Sequence, residues 1–174
     1  MQVAVSMGAT PGSGFGPFAL LSIRGYNPAH AGNIYLAAVN PCPFGIDDML
    51  LGLFATNLGN ASRDAELRGN SDGVSFIGLA LSCDGTEWSS LIPIAGTTGR
   101  DGRTQDHPVD GLLHEGSMVS VLIHRDVYGI APREAWPMSR LVRRALHRQP
   151  LTRLAASARK ALGASCSSHA IAAR

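Results

Sequence analysis

With 174 residues, 45% of them hydrophobic and 16% charged, the chain is the size of one domain or one domain with an appendage, and its composition excludes wholesale disorder. A chain of this length buries roughly 70% of its unfolded surface, so folding requires neither a metal nor a disulfide. The net charge of +2 conceals a division, because seven basic and 13 acidic residues precede Pro137 (−6) while eight basic residues and no acid follow it (+8). Two regions of opposite charge are read separately.

No apolar run approaches the roughly 18 residues of a membrane helix, so no membrane partner is expected. The start, MQVAVSMGATPGSG, has no basic stretch before an apolar core, so no signal peptide is expected. Cys42, Cys83 and Cys166 are widely spaced and contain no CxxC pair. They are expected as reduced thiols in a cytosol, without a disulfide framework or a zinc site.

Glycine and proline punctuate residues 1–45, leaving two short apolar stretches, Phe18–Ile23 and Ile34–Val39, that read as strands. Ile46–Asn57 is ambiguous. Asp47 and Asp48 could open a helix with Met49, Leu50, Leu53 and Phe54 as its stripe, but Gly52 weakens that reading and a fully buried strand fits too. Arg63–Leu67 is a short candidate strand and GNSDG a turn. Val74–Ser82 is a buried strand in which Gly78 marks a bulge or a close backbone approach. The polar stretch from Gly85 to Gly111 is expected to be mostly exposed loop, with a brief strand at Leu91–Ala95. Met118–His124 alternates cleanly, and Arg125-Asp126 is read as the break of a hairpin returning through Val127–Ala131.

The tail differs in kind. Leu151, Leu154, Ala155, Ala158 and Leu162 lie on one helical face, with Gly163 as the stop. Ser139–Arg148 also reads as helix-prone, broken by Pro150. The expected architecture is a mainly β, small barrel-like domain over residues 1–136 and a basic, helical or disordered tail over 137–174. The predicted core comprises Phe76, Ile77, Leu79, Leu81, Val119, Val121, Ile123 and Val127.

Several groups could carry chemistry. Cys42 with His114 or His124 would suit a cysteine-dependent hydrolase, a thiol before a helix being activated by an imidazole base; the plainer reading is a small apolar residue between two prolines. His107, His114 and His124 share a region with Asp106, Asp110 and Glu115, yet their spacings place them on no common helix face, which favours solvated groups over a metal site. Asp47-Asp48 is explained by a helix start. Gly12, Gly14 and Gly16 give a partial GxGxxG, but Pro17 follows where a helix should open. The tail arginines could meet nucleic acid or an acidic protein surface, without aromatic residues between them to stack on bases. No residue is assigned a catalytic, cofactor-binding or metal role.

Across residues 41–131 these segments form an ordered set: Pro43-Phe44-Gly45; Phe76-Ile77-Gly78-Leu79-Ala80-Leu81; and Glu115-Gly116-Ser117-Met118-Val119-Ser120-Val121-Leu122 followed by Asp126-Val127-Tyr128. The set resembles the structural cement (capsid decoration) proteins of tailed bacteriophages, in which a PFG segment, an FxGxAL strand and a GxxVSVLxxGxVxV hairpin recur in this order. The resemblance implies a barrel-like β domain that stabilises a phage capsid, docks on the major capsid protein, commonly as a trimer, and does no chemistry. It also implies a virion protein made in the bacterial host cytoplasm. The chain departs from the family pattern at Arg125-Asp126, where the hairpin turn usually has glycine, and in its arginine-rich end. Separately, Val127-Tyr128-Gly129-Ile130-Ala131-Pro132-Arg133 is similar to the phosphate-contacting segment of trimeric dUTP pyrophosphatases. There the expected serine is replaced by Glu134, and the catalytic aspartate motif and glycine-rich arm are missing.

Overall fold

A computed structural model describes residues 2–3, 19–26, 34–46, 48–58, 74–97, 104–128, 140–163 and 166. The described residues are mainly β. In chain order the strands are β1 (Gln2–Val3), β2 (Ala19–Leu20), β3 (Ser22–Ile23), β4 (Ile34–Pro41), β5 (Leu50–Leu58), β6 (Val74–Ser82), β7 (Glu87–Trp88), β8 (Ile92–Thr97), β9 (Thr104–Glu115), β10 (Met118–Tyr128) and β11 (Arg140–His147), followed by helix α1 (Arg148–Leu162). β1 pairs with β2; a larger sheet runs β3-β7-β6-β5-β4, with β8 also on β6; and β9, β10 and β11 form an antiparallel sheet in the order β11-β10-β9. The two larger sheets meet where β9 packs on β4, β5 and β6.

β5 and β6 are central to the fold. Their odd-numbered side chains, Leu51, Leu53, Ile77, Leu79 and Leu81, enter a core with Val121 and Ile123 of β10 and the buried face of α1. Their even-numbered side chains, Phe54 and Ala80, enter a second cluster with Ile23 and Trp88. Burial on both faces explains why these strands read as continuous apolar runs. It also resolves the ambiguity at Ile46–Asn57 in favour of strand. Of the predicted core, Ile77, Leu79, Leu81, Val119, Val121 and Ile123 are buried, while Phe76 and Val127 are half-buried. Gly78 serves both anticipated purposes: the β6–β8 register shifts between Ile77 and Gly78, and a β-carbon there would stand 2.8 Å from Leu91 Cδ2.

Four expectations are corrected. First, the polar stretch from Gly85 holds more than the brief strand expected at Leu91–Ala95, which is β8: it also contains β7 and most of β9, and Trp88, Ser89, Ala95 and Asp106 within it are buried. These strands take their hydrogen bonds from β3, β6 and β10, so partners on neighbouring strands supply what periodicity along the stretch lacks. Second, β10 runs straight through Arg125-Asp126. The hairpin lies one element earlier, at Gly116-Ser117 between β9 and β10, where Gly116 takes φ +58°, a conformation glycine adopts at little cost. Arg125 sits within a register irregularity between His124 and Val127, its Nε donating to Asp106 Oδ2 at 3.1 Å. Third, Arg140–His147 is strand β11, paired along β10 from Met118↔His147 to Arg125↔Arg140; the sheet edge offered by β10 overrides the local helix propensity. Fourth, Cys83, just past the end of β6, and Cys166 come together with Cα atoms 5.1 Å apart and are joined as a disulfide rather than reduced.

α1 follows the sequence pattern closely. Leu151, Ala155, Ala158 and Leu162 are its buried residues, Leu154 is half-buried, and Pro150 sits in the first turn, where no backbone N–H is needed. Gly163 ends the helix with φ +55°, its N–H donating to Arg159 O. The Arg63–Leu67 candidate strand, the glycines at 12, 14 and 16, and residues 129–139 lie outside the described residues.

Candidate docking site around Phe44

The turn from β4 to β5 is built by Pro43-Phe44-Gly45. Phe44 and Gly45 take φ of +66° and +73°, and the Cys42 N–H donates to Met49 O across the turn at 2.9 Å. Positive φ is unfavourable for a bulky side chain such as phenylalanine, costing on the order of 1–3 kcal/mol. Phe44 has two aromatic and cationic neighbours that hold it: the His114 ring meets it edge-on with centroids 6.5 Å apart, and the Arg148 guanidinium lies 5.9 Å above its face. Such a cation–ring contact stabilises by about 0.5–1 kcal/mol at an exposed site. Arg148 is itself fixed at the start of α1, where its backbone N–H donates to Ser117 O in the β9–β10 turn. The PFG turn, the end of β9 and the first residue of α1 therefore converge on one ring.

The candidate chemical groups do not converge in this way. Cys42 is buried, and burial pushes its thiol up to about 12, with Asp48 raising it further and Arg159 opposing. A nucleophilic thiol needs the opposite shift. His114 instead lies on Phe44, exposed at the end of β9. His107 and His124 are brought opposite one another by the β9–β10 register, a pairing that spacing along the chain does not reveal. Burial, then the neighbouring His124, lowers the pKa of His107 against the pull of Asp106. The acids of this region are engaged individually: Asp106 with Arg125, Glu115 with Arg143, and Asp110 through its carboxylate accepting the Gly111 N–H. No group of three or more metal-ligating side chains forms among the described residues. Asp48 pairs with Arg159 of α1 instead of opening a helix; Asp47 lies outside the described residues. The segment similar to dUTP pyrophosphatases lies mostly beyond Tyr128, again outside them.

Basic residues of the tail divide into engaged and free. Arg143 pairs with Glu115 and donates through Nε to Ser120 Oγ at 2.7 Å. Arg144, Arg153 and Lys160 are exposed and form no ion pair among the described residues. No helix among the described residues is long and apolar enough to cross a membrane. No family model, curated protein or solved structure matches the chain.

Proposed function

We propose that the chain is a structural protein of a phage virion that docks on the major capsid protein and stabilises the shell without chemistry. In this reading the β strands form a barrel-like unit, the working form is a homo-oligomer (a trimer by the family resemblance), and the protein is made in the bacterial cytoplasm before joining the virion. The observation that carries the proposal is the convergence on Phe44. Segments that resemble cement proteins in sequence, PFG and EGSMVSVL, lie far apart in the chain, yet His114 and Ser117 bring the second to the ring and the helix start that adjoin the first. A strained aromatic held at a turn by side-chain contacts suits a rigid recognition surface, since strain of this kind persists where the surroundings over-determine it.

The decisive experiment mixes the purified full-length chain with expanded, undecorated heads of the phage that encodes it. Saturable co-sedimentation and a raised temperature of head disruption are expected, both weakened by Phe44→Ala. Failure to bind heads at any ratio overturns the proposal. A second reading, binding of nucleic acid through Arg144, Arg153 and Lys160, is favoured by their lack of ion pairs among the described residues. It predicts gel-shift affinity for duplex DNA that falls steeply with salt.

A further inference from the structure

A helix laid on a sheet buries only the strip beneath it, and layered folds ordinarily cover the remainder with another element. Among the described residues α1 leaves such a remainder uncovered. Along its flank runs an open groove of about 570 Å³ whose apolar lining includes Leu79 of β6, Ile92 and Ile94 of β8, Leu146 of β11, and Leu151 and Leu154 of α1. Ile92 is 39% exposed. At His147 and Pro150, which line both, the groove adjoins a second recess whose further lining is Ser117, Arg148, Gln149 and Thr152. Among the described residues no carboxylate lines either part. Arg153 stands beside the apolar part without an ion pair among the described residues. The helix start at the recess has no acidic residue in its first turn and no side-chain cap at His147, leaving its positive pole uncompensated.

We propose that this groove docks an acidic amphipathic helix of a second protein. The apolar stripe of that helix would pack on Ile92, Ile94 and Leu154, and its carboxylates would face Arg153, Arg148 and the amino end of α1. The groove is open along one side, which suits an occupant whose outer face stays in water, as in helix-in-groove recognition. A second copy's α1 is the wrong occupant, because it carries Arg148, Arg153, Arg159 and Lys160 and no acid and would be repelled. The inference does not depend on the capsid reading, since any partner with such a helix satisfies it.

Two fluorescent peptides of roughly 18 residues test it, stapled because short isolated helices are marginal in water. They share one leucine stripe; one carries glutamate on its flanks and the other lysine. Titrated with the full chain at physiological salt, the glutamate peptide should bind with a Kd on the order of 10 µM, and the lysine peptide about tenfold more weakly or worse. Ile92→Asp should weaken the glutamate peptide about tenfold, and Arg153→Glu should weaken the glutamate peptide and strengthen the lysine one. Both positions are exposed, and thermal melts verify that each variant is folded; Ile92→Ser replaces Ile92→Asp if the latter unfolds. The proposal is overturned by no binding of the glutamate peptide, by equal binding of the two peptides, or by binding that ignores both substitutions. Self-association of the chain that blocks the peptide and is dissolved by Ile92→Asp would assign the groove to a second copy and equally overturn it.

Discussion

Trp88 lies so close over Gly52 that a β-carbon on the glycine would stand 2.5 Å from Cζ3 of the indole and 2.6 Å from Cε2 of Phe54. The indole cannot easily yield. It is 1% exposed, its N–H donates to Gly85 O at 3.0 Å, and Phe54 meets it edge-to-face with centroids 5.0 Å apart. Gly52→Ala is therefore expected to destabilise the fold by about 1–3 kcal/mol, the usual cost of overpacking a core. Urea unfolding followed by tryptophan fluorescence measures this, and an unchanged midpoint would show that the two rings have room to move.

The position of Trp88 depends in turn on Asp84. Its carboxylate accepts the backbone N–H groups of Thr86 and Glu87, each at 2.8 Å, and the Ser82 hydroxyl at 3.2 Å. Burial pushes the Asp84 carboxyl up, but the Glu87 and Thr86 N–H bonds outweigh it and hold the pKa below the ordinary 3.8. A depressed folded-state pKa adds stability that is present above the unfolded value and lost as pH falls below it. Asp84→Ala should cost about 1.5–3 kcal/mol at neutral pH, the range for hydrogen bonds to a charged group. Its unfolding free energy should also depend less on pH below 4 than that of the native chain.

The Cys83–Cys166 disulfide closes a loop with a sequence separation of 83 residues. In the chain-entropy account a closure of that length stabilises by roughly 4–5 kcal/mol. Reduction with dithiothreitol, or Cys83→Ser, should lower the urea midpoint accordingly and loosen the end of α1 first. A midpoint indifferent to reductant would show that the two cysteines are not joined in solution.

Cys42 is the remaining free cysteine. It should resist iodoacetamide at pH 8 until the protein unfolds, because the residue is 2% exposed and thiolate is the reactive form. Its pKa rises from 9.0 in the unfolded chain to about 12 in the folded one. The associated stability is complete below pH 9 and is lost as pH rises towards 12. Between pH 9 and 11 the native chain should therefore lose stability faster than Cys42→Ala. Stoichiometric labelling of the folded protein would contradict the buried placement.

Leu151 is 4% exposed and belongs to the same core as Leu79 and Val121. Leu151→Ala should cost about 2–5 kcal/mol, the range for a leucine truncated in a core. Hydrogen exchange on a dilute monomer is expected to show strong protection across 151–162 together with β10 and β11. Rapid exchange there would instead place a domain boundary near residue 137, with the tail ordering only on a partner.

Elements whose own residues carry the pattern are legible in the amino-acid sequence. β6 has the expected bounds of Val74–Ser82, and the α1 stripe of Leu151, Ala155, Ala158 and Leu162 needs only its 3.6-residue period. Gly163 is readable as a helix stop because glycine answers a backbone demand that is local. Gly78 is readable because an interruption of an apolar strand marks a bulge or close approach even before its neighbour Leu91 is known. Pairing between strands decides the rest. Ser139–Arg148 is helix-prone alone, yet Arg140–His147 is a strand beside β10; β7 and the start of β9 are polar and aperiodic until β3, β6 and β10 supply their hydrogen bonds. The convergence of His114 and Arg148 on Phe44, the union of Cys83 with Cys166 and the groove beside α1 each join residues separated by tens of positions. Local propensity acts over a few residues, whereas register and packing between sheets set which distant side chains meet. Composition and periodicity therefore mark the helix stripe and the central strand, but the surfaces on which a partner would dock exist only once the sheets are assembled.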